Sequence, residues 1–143
     1  MNVTPHFTLA EFGRPRRVRN GKVFEAAEYP LEWVPTRLVP LCLILEKLRE
    51  ELKAPIKIGS GYRDPAYNAA IGGARASQHM AGRAADITVK GVSAAKVHAT
   101  VLRLYNEKKL PALGGLGQYP GFIHVDVRPT NRLVRWGGSR KEN

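Results

Sequence analysis

Three short stretches of this chain hold side chains able to share one task. In Phe122-Ile-His-Val-Asp-Val127, the alternation of a strand would put Ile123, Val125 and Val127 on one face and Phe122, His124 and Asp126 on the other. The first set is uniformly apolar and suits a core, whereas the second places an imidazole beside a carboxylate. In Asp86-Ile-Thr-Val89, Ile87 and Val89 point one way and Asp86 and Thr88 the other. If these strands pair in one sheet, Asp86 and His124 meet on the same face. His79 stands seven residues before Asp86, with Gly82 between them. Glycine there permits a tight reversal that folds His79 back over the strand start. Two imidazoles and one carboxylate form a three-ligand set for catalytic zinc, with a fourth position left for water. Spacing alone does not separate such a site from ordinary polar strand residues beside a loop histidine.

The rest of the titratable inventory is small. The chain has three aspartates, Asp64, Asp86 and Asp126, and four histidines, His6, His79, His98 and His124. His98 lies beside the apolar face of a helix without a partner at metal spacing, and reads as structural. Cys42, the one cysteine, reads as a small buried filler; it excludes an internal disulfide and cysteine-rich zinc sites.

The 143 residues fit a single domain over 1–143, and an apolar content of 43% is enough for a core. Twenty-three basic against 12 acidic residues leave a net charge of +11. A field of that sign attracts polyanions such as nucleic acid, anionic lipid or acidic cell-envelope polymers, but names no reaction. The basic residues cluster at Arg14, Arg16, Arg17, Arg19 and Lys22, and again at Arg128, Arg132, Arg135, Arg140 and Lys141. Neither cluster sits in a nucleic-acid-binding motif, so nucleic acid is not the expected partner. No apolar run is long enough to span a bilayer. The start, MNVTPHFTLAEF, lacks a basic segment followed by an apolar one. The expectation is cytoplasmic synthesis, the chain staying in the cytosol unless something else exports or delivers it.

The elements that must position these groups read as an α+β domain, helices outside and three or four short strands within. His6 to Phe12 forms a helical turn with Thr8 and Glu11 as a capping box. Residues 13–30 read as a loop with room for a short strand at Lys22 to Phe24. Leu38, Leu41, Leu45, Leu48 and Leu52 mark an amphipathic helix from about Thr36 to Leu52. Ile56 to Ile58 is a strand, and Asp64-Pro65 opens a short helix through Ala70. Ser93 caps a helix over Ala94 to Lys108. Residues 111–121 are glycine-rich, and Val134 to Trp136 is a candidate last edge strand.

Ser77-Gln-His79-Met-Ala-Gly82-Arg-Ala84-Ala-Asp86 fits S-x-H-x-x-G-x-A-x-D at every fixed position, with an H-x-D strand downstream. In this the chain resembles the zinc D-alanyl-D-alanine peptidases, which include carboxypeptidases, dipeptidases and peptidoglycan endopeptidases of bacteria and phages. Their fold is shared with the hedgehog domain and the lysostaphin-type peptidases. The likeness extends from PHFTLAEF through SGYRDPAYN to VRW. It implies a small antiparallel sheet carrying the zinc site, flanked by helices. It also implies His79, Asp86 and His124 as the Zn2+ ligands and Arg63 as the substrate anchor. Arg63 lies sixteen residues before the first ligand histidine, as in the family. A guanidinium there can hold a peptide carboxylate or carbonyl; the alternative is a structural ion pair. Ser77 either binds substrate or holds its loop.

One departure stands out. Many members carry an acidic general base three residues before the last ligand histidine, where this chain has Gly121. Asp126 either replaces that base or holds a ligand histidine in its tautomer. The resemblance implies a monomeric zinc metallopeptidase, of murein endopeptidase or endolysin type. Its substrate would be peptidoglycan stem peptides or cross-links, through D,D or L,D bonds. Its charge would favour residence on anionic cell-envelope polymers. The competing expectation is a non-catalytic metal-binding or polyanion-binding module on the same fold.

Overall fold

The computed structural model describes residues 1–137, so Arg140 and Lys141 of the second basic cluster lie outside the described residues. The chain opens with a ribbon, Asn2–Thr4 (β1) against Phe7–Thr8 (β2), and one 3-10 turn, Leu9–Phe12. The Thr8 amide donates to the Glu11 carboxylate at 2.7 Å, the reaching-back half of the expected capping box. Phe7 and Phe12 are fully buried and pin this segment to the core.

Where the sequence suggests a loop, a hairpin forms: Arg17–Arg19 (β3) pairs antiparallel with Lys22–Phe24 (β4). Asn20 and Gly21 both take positive φ, 50° and 77°, as a two-residue turn between twisted strands requires. Arg14 does not join the exposed basic cluster. It is buried at the hairpin's foot, donating through Nε and Nη2 to Asp64 Oδ1 at 3.0 and 2.8 Å and lying over the Tyr67 ring.

The first long helix, Val39–Leu52 (α1), begins three residues later than the leucine spacing suggests. Pro40 has no amide to donate to the carbonyl of Thr36, so a regular turn cannot form there. Residues Val34–Leu38 instead make a π turn, in which the Val39 amide bonds the Val34 carbonyl. Lys53, at φ 52°, ends the helix. Next come Ile56–Ser60 (β5), Pro65–Ala70 (α2), Ala84–Val89 (β6) and Ala94–Asn106 (α3). Asp64 caps α2 by accepting from the Tyr67 amide, and Ser93 caps α3 by accepting from the Lys96 amide. The strands Gly115–Tyr119 (β7), Phe122–Asp126 (β8) and Val134–Gly137 (β9) complete the chain.

Five strands form the main sheet, in the order β5-β6-β8-β7-β9. The first four pair antiparallel as expected, but β9 runs parallel to β7, so the sheet is mixed. The reason is where the chain re-enters. Asp126 at the end of β8 and Val134 at the start of β9 both pair with Gly115, so β9 starts from the same end as β7. Strand β7 falls in the glycine-rich stretch that the sequence leaves without an element.

Alternation along the central strands divides the sheet as the residue pattern requires. Ile87, Val89, Leu116, Ile123 and Val125 face inward and join Leu41, Cys42, Leu45 and Leu48 of α1 and Val97, Val101 and Leu104 of α3 in one core. Cys42 has no exposed surface, and burial pushes its thiol pKa up to about 12, which fits packing rather than reactivity. Among the described residues, no helix is long and apolar enough to cross a membrane.

Candidate metal centre

The opposite face of the sheet carries the chemistry. In the β6–β8 ladder Asp86 sits directly across from His124, which places a carboxylate and an imidazole side by side on rigid, central strands. His79 arrives from the loop before β6. Gly82 turns that loop at φ 68°, its amide bonding the His79 carbonyl at 3.2 Å, while its own carbonyl accepts from the Tyr29 hydroxyl at 2.6 Å. A side chain at Gly82 would run into the Trp33 ring, so the turn is pressed down by an aromatic wall.

One ligand atom each from His79, Asp86 and His124 lies within 4.8 Å of the others, and this is the one such cluster among the described residues. Asp86 Oδ1 is 3.2 Å from His79 Nε2 and 3.2 Å from His124 Nδ1. His79 is 3% exposed and His124 6%, with Asp86 more open beside them. His98 and His6 stand apart from it, His6 pairing with Glu46 at 2.7 Å.

The far nitrogen of each ring decides what the near one can do. His79 Nδ1 lies 2.8 Å from the Gly61 carbonyl, and His124 Nε2 lies 2.6 Å from Asp126 Oδ2. A carbonyl and a carboxylate only accept, so both far nitrogens are donors. A neutral ring then has only a lone pair at the near nitrogen, and both lone pairs face the same Asp86 oxygen. Positive charge has to stand between them, as protons on both rings or as one ion shared by all three groups. A single divalent cation satisfies the three together, and two nitrogens with one carboxylate oxygen are a donor set that suits zinc. The residues therefore fit the metal that the motif implies.

The charges agree with this arrangement. Burial works to raise the Asp86 pKa, but the His124 and His79 rings prevail and hold its carboxyl well below the usual range. Burial likewise works against a charged His124, yet Asp126 and Asp86 outweigh it and raise the ring's pKa. Asp126 is pulled down to about 2, against burial, by His124 and Arg128.

The cleft over these groups encloses about 380 Å³. Arg63 and Ser77 both line it. Arg63 donates to Ser60 Oγ at 3.2 Å, Asn68 Oδ1 at 3.3 Å and Asp86 Oδ2 at 3.4 Å, so it is both ion-paired and cleft-facing. Ser77 Oγ accepts from the His79 amide at 3.1 Å, which ties the loop that carries this histidine. Asp126 has no exposed surface and lies behind His124, away from the cleft. Gly121, where a base stands in many relatives of the motif, is the second residue of the Pro120-Gly121 turn joining β7 and β8. Its φ is 85°, a conformation that an acidic side chain would strain.

Several contributors have a role that no motif announces. The Gly61 carbonyl is backbone and leaves no trace in side-chain spacing. Tyr119, Phe122, Arg128 and Trp136 line the cleft with the residues above. Phe122 and Trp136 fall in the FIHVDV and VRW stretches and Arg128 in the second basic cluster, but none of these signals gives them a place in the cleft; the Gly114-Gly115-Leu-Gly117 run marks only where Arg128, Asp126 and Trp136 press close.

A family model described as Peptidase M15 matches residues 5–126. Over 83 residues the chain is 37% identical to a Haemophilus influenzae protein described as "Probable peptidoglycan L,D-endopeptidase MepK"; the match covers 53% of this chain and 41% of that protein. No solved structure matches significantly. The family match runs from the N-terminal ribbon to the last residue of β8 and takes in all three converging side chains, so the chain belongs to the peptidase M15 family.

Proposed function

We propose that this chain is a zinc-dependent peptidase that hydrolyses amide bonds in peptidoglycan stem peptides or cross-links. The observation that carries the reading is the meeting of His79, Asp86 and His124 at one point at the base of a cleft, in a chain of the M15 family. Those three residues would hold the ion on the polar face of the sheet. A zinc ion there supplies Lewis acidity toward the scissile carbonyl and makes water easier to deprotonate near neutral pH.

The chain's own residues do the rest. Gly61 and Asp126 fix which nitrogen each histidine presents. Arg63, at the cleft wall, orients Asp86 through Oδ2 and offers a guanidinium to a peptide carboxylate or carbonyl. Ser77 keeps His79 in place through its loop. Asp126 acts as a positioning residue behind His124 rather than as a base, because it is sealed from the cleft and its acceptor sites are taken. The likeness to the Haemophilus protein favours an internal L,D bond over a D,D or carboxy-terminal one.

One observation favours a second reading. Among the described residues, Asp86 is the only carboxylate lining the cleft. A metal-binding module without turnover would need no other. Digestion of purified muropeptides followed by mass spectrometry decides between them. Zinc-loaded protein should release cleaved stem peptides and the His79→Ala variant should not. Intact muropeptides with a zinc-loaded protein would reject the peptidase reading in favour of the module.

A further inference from the structure

The hydrogen-bonded chain that starts at the metal point does not stop at Asp126. The Arg128 amide and Nε donate to Asp126 Oδ1 at 3.0 and 2.9 Å, and Arg128 Nη2 donates to Oδ2 at 2.7 Å. Oδ2 is the same oxygen that accepts from His124 Nε2 at 2.6 Å. Trp136 closes the layer. Its indole lies against the His124 ring at 5.0 Å between centroids, Nε1 donates to the Tyr119 hydroxyl at 2.7 Å, and the Arg128 guanidinium lies 5.2 Å from the centre of the indole ring.

Strand β7 and the residue before it are shaped to seat these three side chains. A Cβ on Gly114 would collide with the Arg128 carbonyl and the root of its side chain, one on Gly115 with the Asp126 carboxylate, and one on Gly117 with the Trp136 indole. A strand interior gives up packing wherever it carries glycine, so three within four residues mark a close approach rather than a preference for strand.

We propose that Arg128 and Trp136 are positioning residues for the metal centre, acting on His124 from outside the ligand set. This rests on the zinc reading above. An imidazole's second side-chain torsion is broad and roughly two-fold, so the ring by itself does not choose which edge it presents. Arg128 holds the Asp126 carboxylate by a planar, two-pronged grip, and Asp126 in turn holds Nε2. Trp136 fills the space into which the ring would otherwise swing. Together they leave Nδ1 facing Asp86 before any ion arrives.

The test is zinc affinity, measured by competition with a chromophoric chelator on metal-free protein. Arg128→Met and Trp136→Leu should each weaken zinc binding by about 10- to 100-fold, as losses behind a ligand histidine do. The cobalt-substituted variants should also show an altered visible spectrum, which a merely structural role would not produce. Asp126→Asn should weaken binding as well, and adding Arg128→Met in that background should cost little more, because Arg128 acts through Asp126. If Arg128→Met does not fold, Arg128→Lys decides: it keeps the charge but not the two-pronged grip, and wild-type zinc affinity in that variant overturns the proposal. So does wild-type affinity in Arg128→Met, or an undiminished effect in the Asp126→Asn background. A wild-type protein that takes up neither zinc nor cobalt would defeat the metal reading itself. Normal uptake by both wild type and variants would defeat only the clamp.

Discussion

The two faces of the central sheet come from the same strands, yet they are held by different forces. Ile87, Ile123 and Val125 enter the core, where stability grows with apolar area and has little directionality. Asp86, His124 and Asp126 alternate with them and are placed atom by atom: Arg63 donates to Asp86 Oδ2 at 3.4 Å, His124 Nε2 donates to Asp126 Oδ2 at 2.6 Å, and Asp86 Oδ1 faces His124 Nδ1 at 3.2 Å. Neighbours one residue apart therefore answer to different rules. The inner face tolerates a change of shape at a graded cost. The outer face tolerates almost no change of charge or of hydrogen-bonding pattern.

Substitutions at adjacent positions break this contrast most directly. His124→Ala should abolish zinc binding, read as loss of stoichiometric metal after gel filtration. It should also remove the stabilisation of about 2.7 kcal/mol that zinc at a hundredfold excess over Kd confers. Retained metal would mean that the outer face is not built around this atom. Ile123→Ala, its neighbour, should cost about 2–5 kcal/mol in urea unfolding while the folded fraction binds zinc normally. Loss of zinc at unchanged stability in that variant would show that the faces are not separable.

The Arg14–Asp64 pair extends the outer-face rule to a structural role. Arg14→Met should lower stability by about 1.5–3 kcal/mol at neutral pH, through lost hydrogen bonds to a charged partner. Burial works to raise the Asp64 pKa, but Arg14 and the Tyr67 amide prevail and lower it. A carboxyl whose folded pKa lies below the unfolded value of about 3.9 stabilises fully above that pH and loses its contribution as pH falls through the folded value. Urea midpoints of wild type and Arg14→Met should therefore draw together in acid, and a gap that persisted at the lowest pH would assign the effect to packing. The smallest expected change is at Val18 on the exposed hairpin, where Val18→Ser should stay within about 0.5 kcal/mol.

The contrast also explains what could be read from residues alone. The alternation in FIHVDV and ADITV specifies both faces, so the pairing of Asp86 with His124 follows once the strands meet. The leucine spacing of α1 and the Ser93 cap of α3 are equally local signals. What stays hidden depends on the tertiary surroundings. Strand β7 carries glycines because Asp126 and Trp136 press on it, and that pressure is invisible before the fold is known. The β3–β4 hairpin did carry a signal, Asn20-Gly21, obscured by the surrounding arginines. The parallel direction of β9 depends on where the chain re-enters the sheet, which no periodicity encodes. For Asp126, spacing leaves two roles open, and its burial behind His124 is the observation that supports the positioning role proposed above.

Trp136 reaches the centre on β9, the outermost strand, whereas Asp86 and His124 ride on interior ones. Margins of a sheet fray at lower free energy than its middle. Ion capture and escape would then keep time with the breathing of that margin, while the interior strands would guard the geometry of the captured state. Amide exchange along 134–137 is the clock by which that traffic could be timed.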